Sequence, residues 1–206
     1  MRKGHAALLR LQRLIRNASL DLRYGGFLGG IKETPYAHLG VENTANTDYE
    51  ALREIFKDGV RPSDVLVDVG CGKGRVINWW LSQGFENKMI GIELDKDVAN
   101  DTRHRLRRHK NVEIVGGDAI KQLPKNGTVF YLYNPFKQPW VAALRAKLSA
   151  SFGKTGGITI YYYNCLHVDV FRNDNEWFVQ EIELSPPFHR LAVIKCAIDG
   201  TCHESL

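Results

Sequence analysis

Val65-Leu66-Val67-Asp68-Val69-Gly70-Cys71-Gly72-Lys73-Gly74-Arg75 constrains this chain more than any other segment. A strand pattern runs into a turn of spacing G-x-G-x-G, and a helical pattern comes next. Glycines at 70, 72 and 74 let the backbone bend sharply and approach a ligand closely. Free N–H groups at the start of the next helix point at that ligand. A dinucleotide fingerprint places a third glycine where this chain has Arg75.

The segments downstream of the turn set the fold class. The pattern predicts helix 74–83, strand 88–93, helix 96–109, strand 112–115, a helical turn at 119–123, strand 128–133, helix 138–150 and strand 157–163. Alternation of this kind builds a parallel sheet covered by helices on both faces. Strand 64–69 is nearly all apolar, as such a buried strand is. The tail departs from the pattern. Trp177–Leu184 and Arg190–Ile198 are two extended runs around Ser185-Pro186-Pro187, which predicts a closing antiparallel hairpin. The expected class is therefore α/β.

Upstream, Leu8, Leu11, Leu14 and Ile15 recur at helical spacing and predict an amphipathic basic helix packed on the domain. A membrane-surface role for that helix stays open. Residues 21–46 read as irregular, with Tyr36, Thr44 and Asn46 in the segment entering the domain. Thr47-Asp48-Tyr49-Glu50 fits a capping box that starts a helix. We divide the chain into 1–46, a basic helix and lid segment, and 47–206, one domain.

Charge narrows the partners. The formal net charge is +5 over 206 residues. Arg2, Lys3, Arg10, Arg13 and Arg16, with no acid before residue 21, account for all of it. The body of the domain is balanced, which disfavours a broad nucleic-acid footprint. Arg103–Lys110 is a local basic run that reads as a solvated helix face. Cys71, Cys165, Cys196 and Cys202 lack metal-ligand spacing, so reduced thiols, no metal site and a cytoplasmic setting are expected. No apolar run is long enough for a membrane-spanning helix.

Ligands of open α/β sheets bind at the carboxyl ends of the strands. Strand 1 ends at Asp68 and the glycine turn, and strand 2 ends at Glu93. Strand 3 leads to Gly116-Gly117-Asp118-Ala119, and strand 4 to Asn134-Pro135-Phe136. In these motifs, their order and their spacing, the chain resembles the class I S-adenosylmethionine-dependent methyltransferases over roughly residues 47–198. The resemblance implies a single-domain Rossmann-like fold, with a seven-stranded, mostly parallel sheet whose last strand is antiparallel. It implies S-adenosylmethionine as cofactor. Asp68, Gly70, Cys71, Gly72 and Gly74 would line its methionine end, and Glu93 would accept from the ribose hydroxyls. Leu94 or Asp95 would lie beside the adenine, Asp118 would accept from the adenine amino group, and Ala119 would add backbone. Asn134, Pro135 and Phe136 would face the methyl group and its acceptor, with Asn134 also beside the cofactor.

The single proline after Asn134 departs from the two prolines common among amino-group methyltransferases. The acceptor expected first is a protein lysine or other amine, then a small metabolite, then RNA. Two readings from other classes stand beside this one. A nicotinamide-dinucleotide oxidoreductase also ends strand 2 in an acid, although Arg75 argues against it. A non-catalytic RNA- or membrane-binding module on the same fold is the other.

Overall fold

The computed structural model describes residues 2–30, 46–134, 136–153, 156–173, 175–185 and 187–196. Within them the chain runs α1 (Arg2–Arg23), α2 (Tyr49–Ile55), β1 (Leu66–Val69), α3 (Arg75–Ser82), β2 (Met89–Glu93), α4 (Lys96–Leu106), β3 (Val112–Gly116), β4 (Val129–Tyr133), α5 (Gln138–Phe152), β5 (Thr159–Tyr163), α6 (Asp169–Arg172), β6 (Trp177–Ile182) and β7 (Leu191–Cys196). The seven strands form one sheet in the order β3-β2-β1-β4-β5-β7-β6. β1 to β5 pair in parallel, and β7 lies antiparallel between β5 and β6. This is the α/β class, with the C-terminal hairpin that the sequence pattern implies.

Alternation along the strands sorts the core into two layers. Val67, Val69, Ile90, Ile92, Phe130 and Leu132 point toward α5 and α6. Leu66, Met89, Val129 and Tyr131 point toward α2, α3 and α4. Trp79 and Trp80 are buried in that second layer, as their place on an apolar helix face predicts, and Trp79 stacks on Phe56 at 5.3 Å. Gly91 faces Cys71 and Ile77. A Cβ there would lie 2.8 Å from the Cys71 Sγ, so a bare backbone is what allows α3 to pack this close.

Strand order reverses at β1: β2 and β3 run off to one side, β4 and β5 to the other. The carboxyl ends of these strands flank the resulting crevice.

Two local expectations are corrected, and one short element goes beyond them. Thr47 does not cap α2. Asp48 is the N-cap, its side chain accepting from the Glu50 N–H, while the Thr47 hydroxyl sits 2.7 Å from the Tyr131 hydroxyl. A buried tertiary hydrogen bond has outcompeted the local capping box. Residues 119–121 form the expected turn, with the Gln122 N–H donating to Asp118 O, but α6 is an element the sequence pattern does not predict, its four residues being too short to show a period. The second correction concerns α1. Its expected packing face, Leu8, Leu11, Leu14 and Ile15, is exposed. The helix docks instead near its C-terminus, through polar residues together with Leu20, which packs on the second core layer. Asn17 donates to Asp48 Oδ2 and accepts from the Tyr49 N–H, and Asp21 is fully buried.

Candidate functional site

The glycine turn joins β1 to α3. Gly70, Gly72 and Gly74 have φ of 77°, 50° and 73°, which is the left-handed region that disfavours a Cβ. The N–H groups of Gly70 and Cys71 both donate to Ile92 O at 2.9 Å, stitching the turn to the end of β2. Its carbonyls are held from α4: Thr102 Oγ1 donates to Gly72 O, and Arg105 donates to Lys73 O. Arg103 donates to Ile114 O. Arg103, His104, Arg107, Arg108 and Lys110 of the basic run are exposed, as a solvated face requires, and Arg103 and Arg105 also reach backbone carbonyls.

Two of the carboxylates converge. Asp68 and Glu93 end adjacent strands and are 3% and 7% exposed. Burial, with the Glu93 charge beside it, holds the Asp68 carboxyl well above the usual carboxylate range. Burial raises Glu93 as well, opposed by hydrogen bonds from backbone N–H groups. Glu93 Oε2 accepts from the Gly72 N–H at 2.8 Å and Oε1 from the Asp95 N–H at 2.9 Å. Glu93 thus fixes the glycine turn against β2, and each oxygen keeps a second lone pair. Asp95 caps α4, accepting from the N–H groups of Asp97 and Val98. Leu94, between them, is half-buried. Asp118 Oδ1 accepts from the Ile120 N–H, an Asx-type turn after β3, and Ala119 is in the core.

At β4, Asn134 is buried at φ 36° and its Oδ1 accepts from the Tyr162 hydroxyl at 2.9 Å. Burial raises the Tyr162 pKa, so the phenol stays protonated as donor. Phe136 packs in the core layer beneath α5, and Pro135 lies outside the described residues, as do Tyr36 and Thr44. Asn46 lines a small cavity with Thr47, Asp68, Gly70, Cys71, Tyr131 and Tyr133. Cys71 is buried with its thiol pushed up by burial, a packing residue rather than a nucleophile.

Sequence reasoning missed Arg75, Thr102, Arg105 and Tyr162. Arg75 gave one signal, a cation where a glycine was due. It lies buried against Asp21, itself the first acid in the chain.

Residues 66–147 match the family described as methyltransferase domain. The matched segment runs from β1 into α5 and takes in the glycine turn and the ends of β2, β3 and β4. It is 32% identical over 84 residues to ribosomal RNA small subunit methyltransferase A of Thermotoga petrophila, covering 41% of this chain and 31% of that protein. It is 32% identical over 82 residues to a probable cobalt-precorrin-6B C(15)-methyltransferase of Methanobrevibacter smithii, covering 36% of this chain and 43% of that protein. The chain thus spans less than half the length of these curated relatives. A Salinibacter ruber RNA methyltransferase solved with S-adenosyl-L-homocysteine superposes with a TM-score of 0.54 at 22% identity, over 79% of this chain and 97% of that one, which is a likeness of fold.

The site offers S-adenosylmethionine an observable fit. Asp68 Oδ2 is buried and has no hydrogen-bond partner among the described residues, and it belongs to a residue that lines the cavity beside the glycine turn. A buried carboxylate oxygen without a donor is costly. A ligand that is cationic and carries N–H donors supplies what it lacks. Among the described residues, no group of His, Cys, Asp and Glu is arranged to hold a metal ion, and no helix is long and apolar enough to cross a membrane.

Proposed function

We propose that this chain is an enzyme that methylates a nucleophilic nitrogen, using S-adenosylmethionine held at the carboxyl ends of β1, β2 and β3. The observation that carries the cofactor part is the Asp68 oxygen left without a partner among the described residues, on a side chain that lines the cavity between the glycine turn and β4. Asp68 would take the cationic methionine end, with Gly70, Cys71, Gly72 and Gly74 bringing backbone close. Glu93 would accept from the ribose through the lone pairs its backbone bonds leave. Leu94 and Asp118 would flank the adenine, with Asp95 fixing the start of α4 and Ala119 supplying backbone.

When bound, S-adenosylmethionine supplies an electrophilic methyl group on a positively charged sulfur. The chain's own part is to bind, align and exclude water, and alignment alone is worth up to ~7–11 kcal/mol in favourable intramolecular comparisons. Asn134 supports the nitrogen reading. Its left-handed backbone is locked at the strand end, and the Tyr162 hydroxyl fixes the orientation of its amide. That leaves Oδ1 a second lone pair for an N–H of the acceptor. Tyr133, half-buried at the same edge, gives the acceptor an aromatic wall. The amine must arrive neutral to attack, so its proton leaves to water or a backbone carbonyl.

The names of the relatives move the order of acceptors. One is named for ribosomal RNA and the other for a cobalt-precorrin, and neither for a protein lysine. We therefore place a small molecule or RNA ahead of a protein lysine; nitrogen as the acceptor atom rests on Asn134, not on these names, one of which specifies a carbon. Incubating cell extract with a methyl-labelled donor and the purified chain tests this. The label should enter the metabolite or RNA fraction and be lost with Asn134→Ala. Label confined to protein would restore lysine as acceptor, and no label in any fraction would remove the catalytic reading.

A further inference from the structure

The described residues leave one large apolar surface without a partner, and it lies on α1. Leu8, Leu11, Leu14, Ile15 and Leu22 are 52%, 53%, 58%, 60% and 62% exposed. Their spacings of three, four and seven residues put them on one stripe of the helix. The opposite side is occupied: Asn17 and Asp21 hold it to α2 and α3, and Arg13 lies over the Phe188 ring. The stripe is thus turned outward by a dock built from buried polar contacts and Leu20. Monomeric domains rarely leave a contiguous leucine-rich face in water, and such faces mark interaction sites.

Charge decides what covers it. Arg10, Arg16 and Arg23 are exposed and flank the stripe on either side. Arg16 approaches Glu50 at 3.9 Å, a surface pair of little strength. Asp21 is the one acid of α1, and it is buried. A second copy of this chain meeting stripe to stripe would bring cationic flanks together with no acid to offset them. Nucleic acid would neutralise the arginines and leave the leucines in water. A surface that is anionic outside and apolar just beneath satisfies both at once.

We propose that α1 is an interfacial helix that binds the chain peripherally to anionic phospholipid surfaces, its leucine stripe sunk at the headgroup boundary and its arginines among the headgroups. The dock on α3 makes the attachment rigid, because Asp21 sits on the same helix and grips Arg75, the first residue after the glycine turn. The site would therefore be held at a fixed attitude to the lipid surface. The proposal stands whether or not the chain methylates anything.

Vesicle co-sedimentation tests it with the full chain. Vesicles of phosphatidylcholine containing phosphatidylglycerol should retain the chain, and vesicles of phosphatidylcholine alone should retain it about tenfold less. Raising salt from about 0.1 M to about 1 M should release most of it, since the screening length falls from about 10 Å to about 3 Å. Leu11→Glu/Leu14→Glu alters exposed positions only, so its far-UV spectrum and melting temperature should match wild type while retention falls about tenfold or more. Equal retention on both vesicle types, or retention untouched by the double substitution, overturns the proposal. So does a concentration-dependent dimer that the double substitution abolishes while vesicles retain nothing. Should the variant not fold, the lipid and salt comparisons on the wild-type chain decide alone.

Discussion

Arg75 donates to both carboxylate oxygens of Asp21, Nε to Oδ1 at 3.1 Å and Nη2 to Oδ2 at 2.5 Å, with both side chains buried. The Tyr49 hydroxyl adds a bond to Oδ1 at 2.8 Å, and the Leu28 N–H one to Oδ2 at 3.2 Å. One carboxylate thus gathers α1, the chain leaving it, α2 and the helix behind the glycine turn.

Breaking such a pair on one side leaves a buried charge uncompensated. Arg75→Met should destabilise the fold by about 3–5 kcal/mol, read by urea unfolding. The double variant Asp21→Leu/Arg75→Met should recover much of that loss. Additive losses from the two sites would mean that they do not act as a pair.

The turn itself predicts a second effect. Gly74 has φ 73°, and a Cβ there would sit 2.9 Å from Thr102 Cγ2. Gly74→Ala should cost about 1–3 kcal/mol through the strained backbone. It should also weaken S-adenosylhomocysteine binding, because Thr102 is the residue that holds Gly72 O. Calorimetric titration and thermal unfolding measure the two consequences on one preparation, and unchanged affinity would show that the turn does not shape the pocket.

Asp68 makes the pocket sensitive to pH. Its carboxyl titrates well above its ordinary value of 3.8 in the folded chain, because burial and Glu93 penalise its charge. The folded state therefore binds the proton more tightly than the unfolded one. The stability this group confers is complete below the ordinary value and is lost as pH rises through the folded one. A cationic ligand reverses the penalty, so binding S-adenosylmethionine should expel a proton. Titration in two buffers of different ionisation enthalpy should show net release that Asp68→Asn abolishes. Proton uptake would reverse the assigned role.

Tyr162 is expected to act as a positioning residue. Tyr162→Phe removes its bond to Asn134, worth about 0.5–1.5 kcal/mol. Turnover should fall roughly threefold to tenfold with cofactor affinity unchanged, whereas Asn134→Ala should lower turnover further. Loss of cofactor affinity with Tyr162→Phe would mark a general packing defect instead.

How much was legible in the sequence depends on range. The strand ends at Asp68, Glu93 and Asp118, and the turn between 70 and 74, are written in local patterns, because glycine alone accepts those φ values freely and strand ends put those acids on one edge. The Asp21–Arg75 pair spans 54 residues and left nothing but an out-of-place cation to read. Tyr162 looked like packing because alternation tells which face a side chain takes, and not that its hydroxyl reaches Asn134. Thr47 matched a capping box, yet the tertiary bond to Tyr131 won. For α1 the amphipathic pattern was legible and the docked side was not. Asn17 and Asp21 fix that helix through buried polar contacts, which hydrophobic periodicity cannot rank against a leucine stripe.

The measurement closest to the central claim is calorimetric titration of the purified chain with S-adenosylhomocysteine and, separately, with NADH, repeated on Glu93→Ala. The converging strand ends predict saturable S-adenosylhomocysteine binding, weakened by on the order of 1–3 kcal/mol when Glu93 is removed, and no comparable NADH binding. NADH binding the tighter of the two, or S-adenosylhomocysteine affinity indifferent to Glu93, would contradict it.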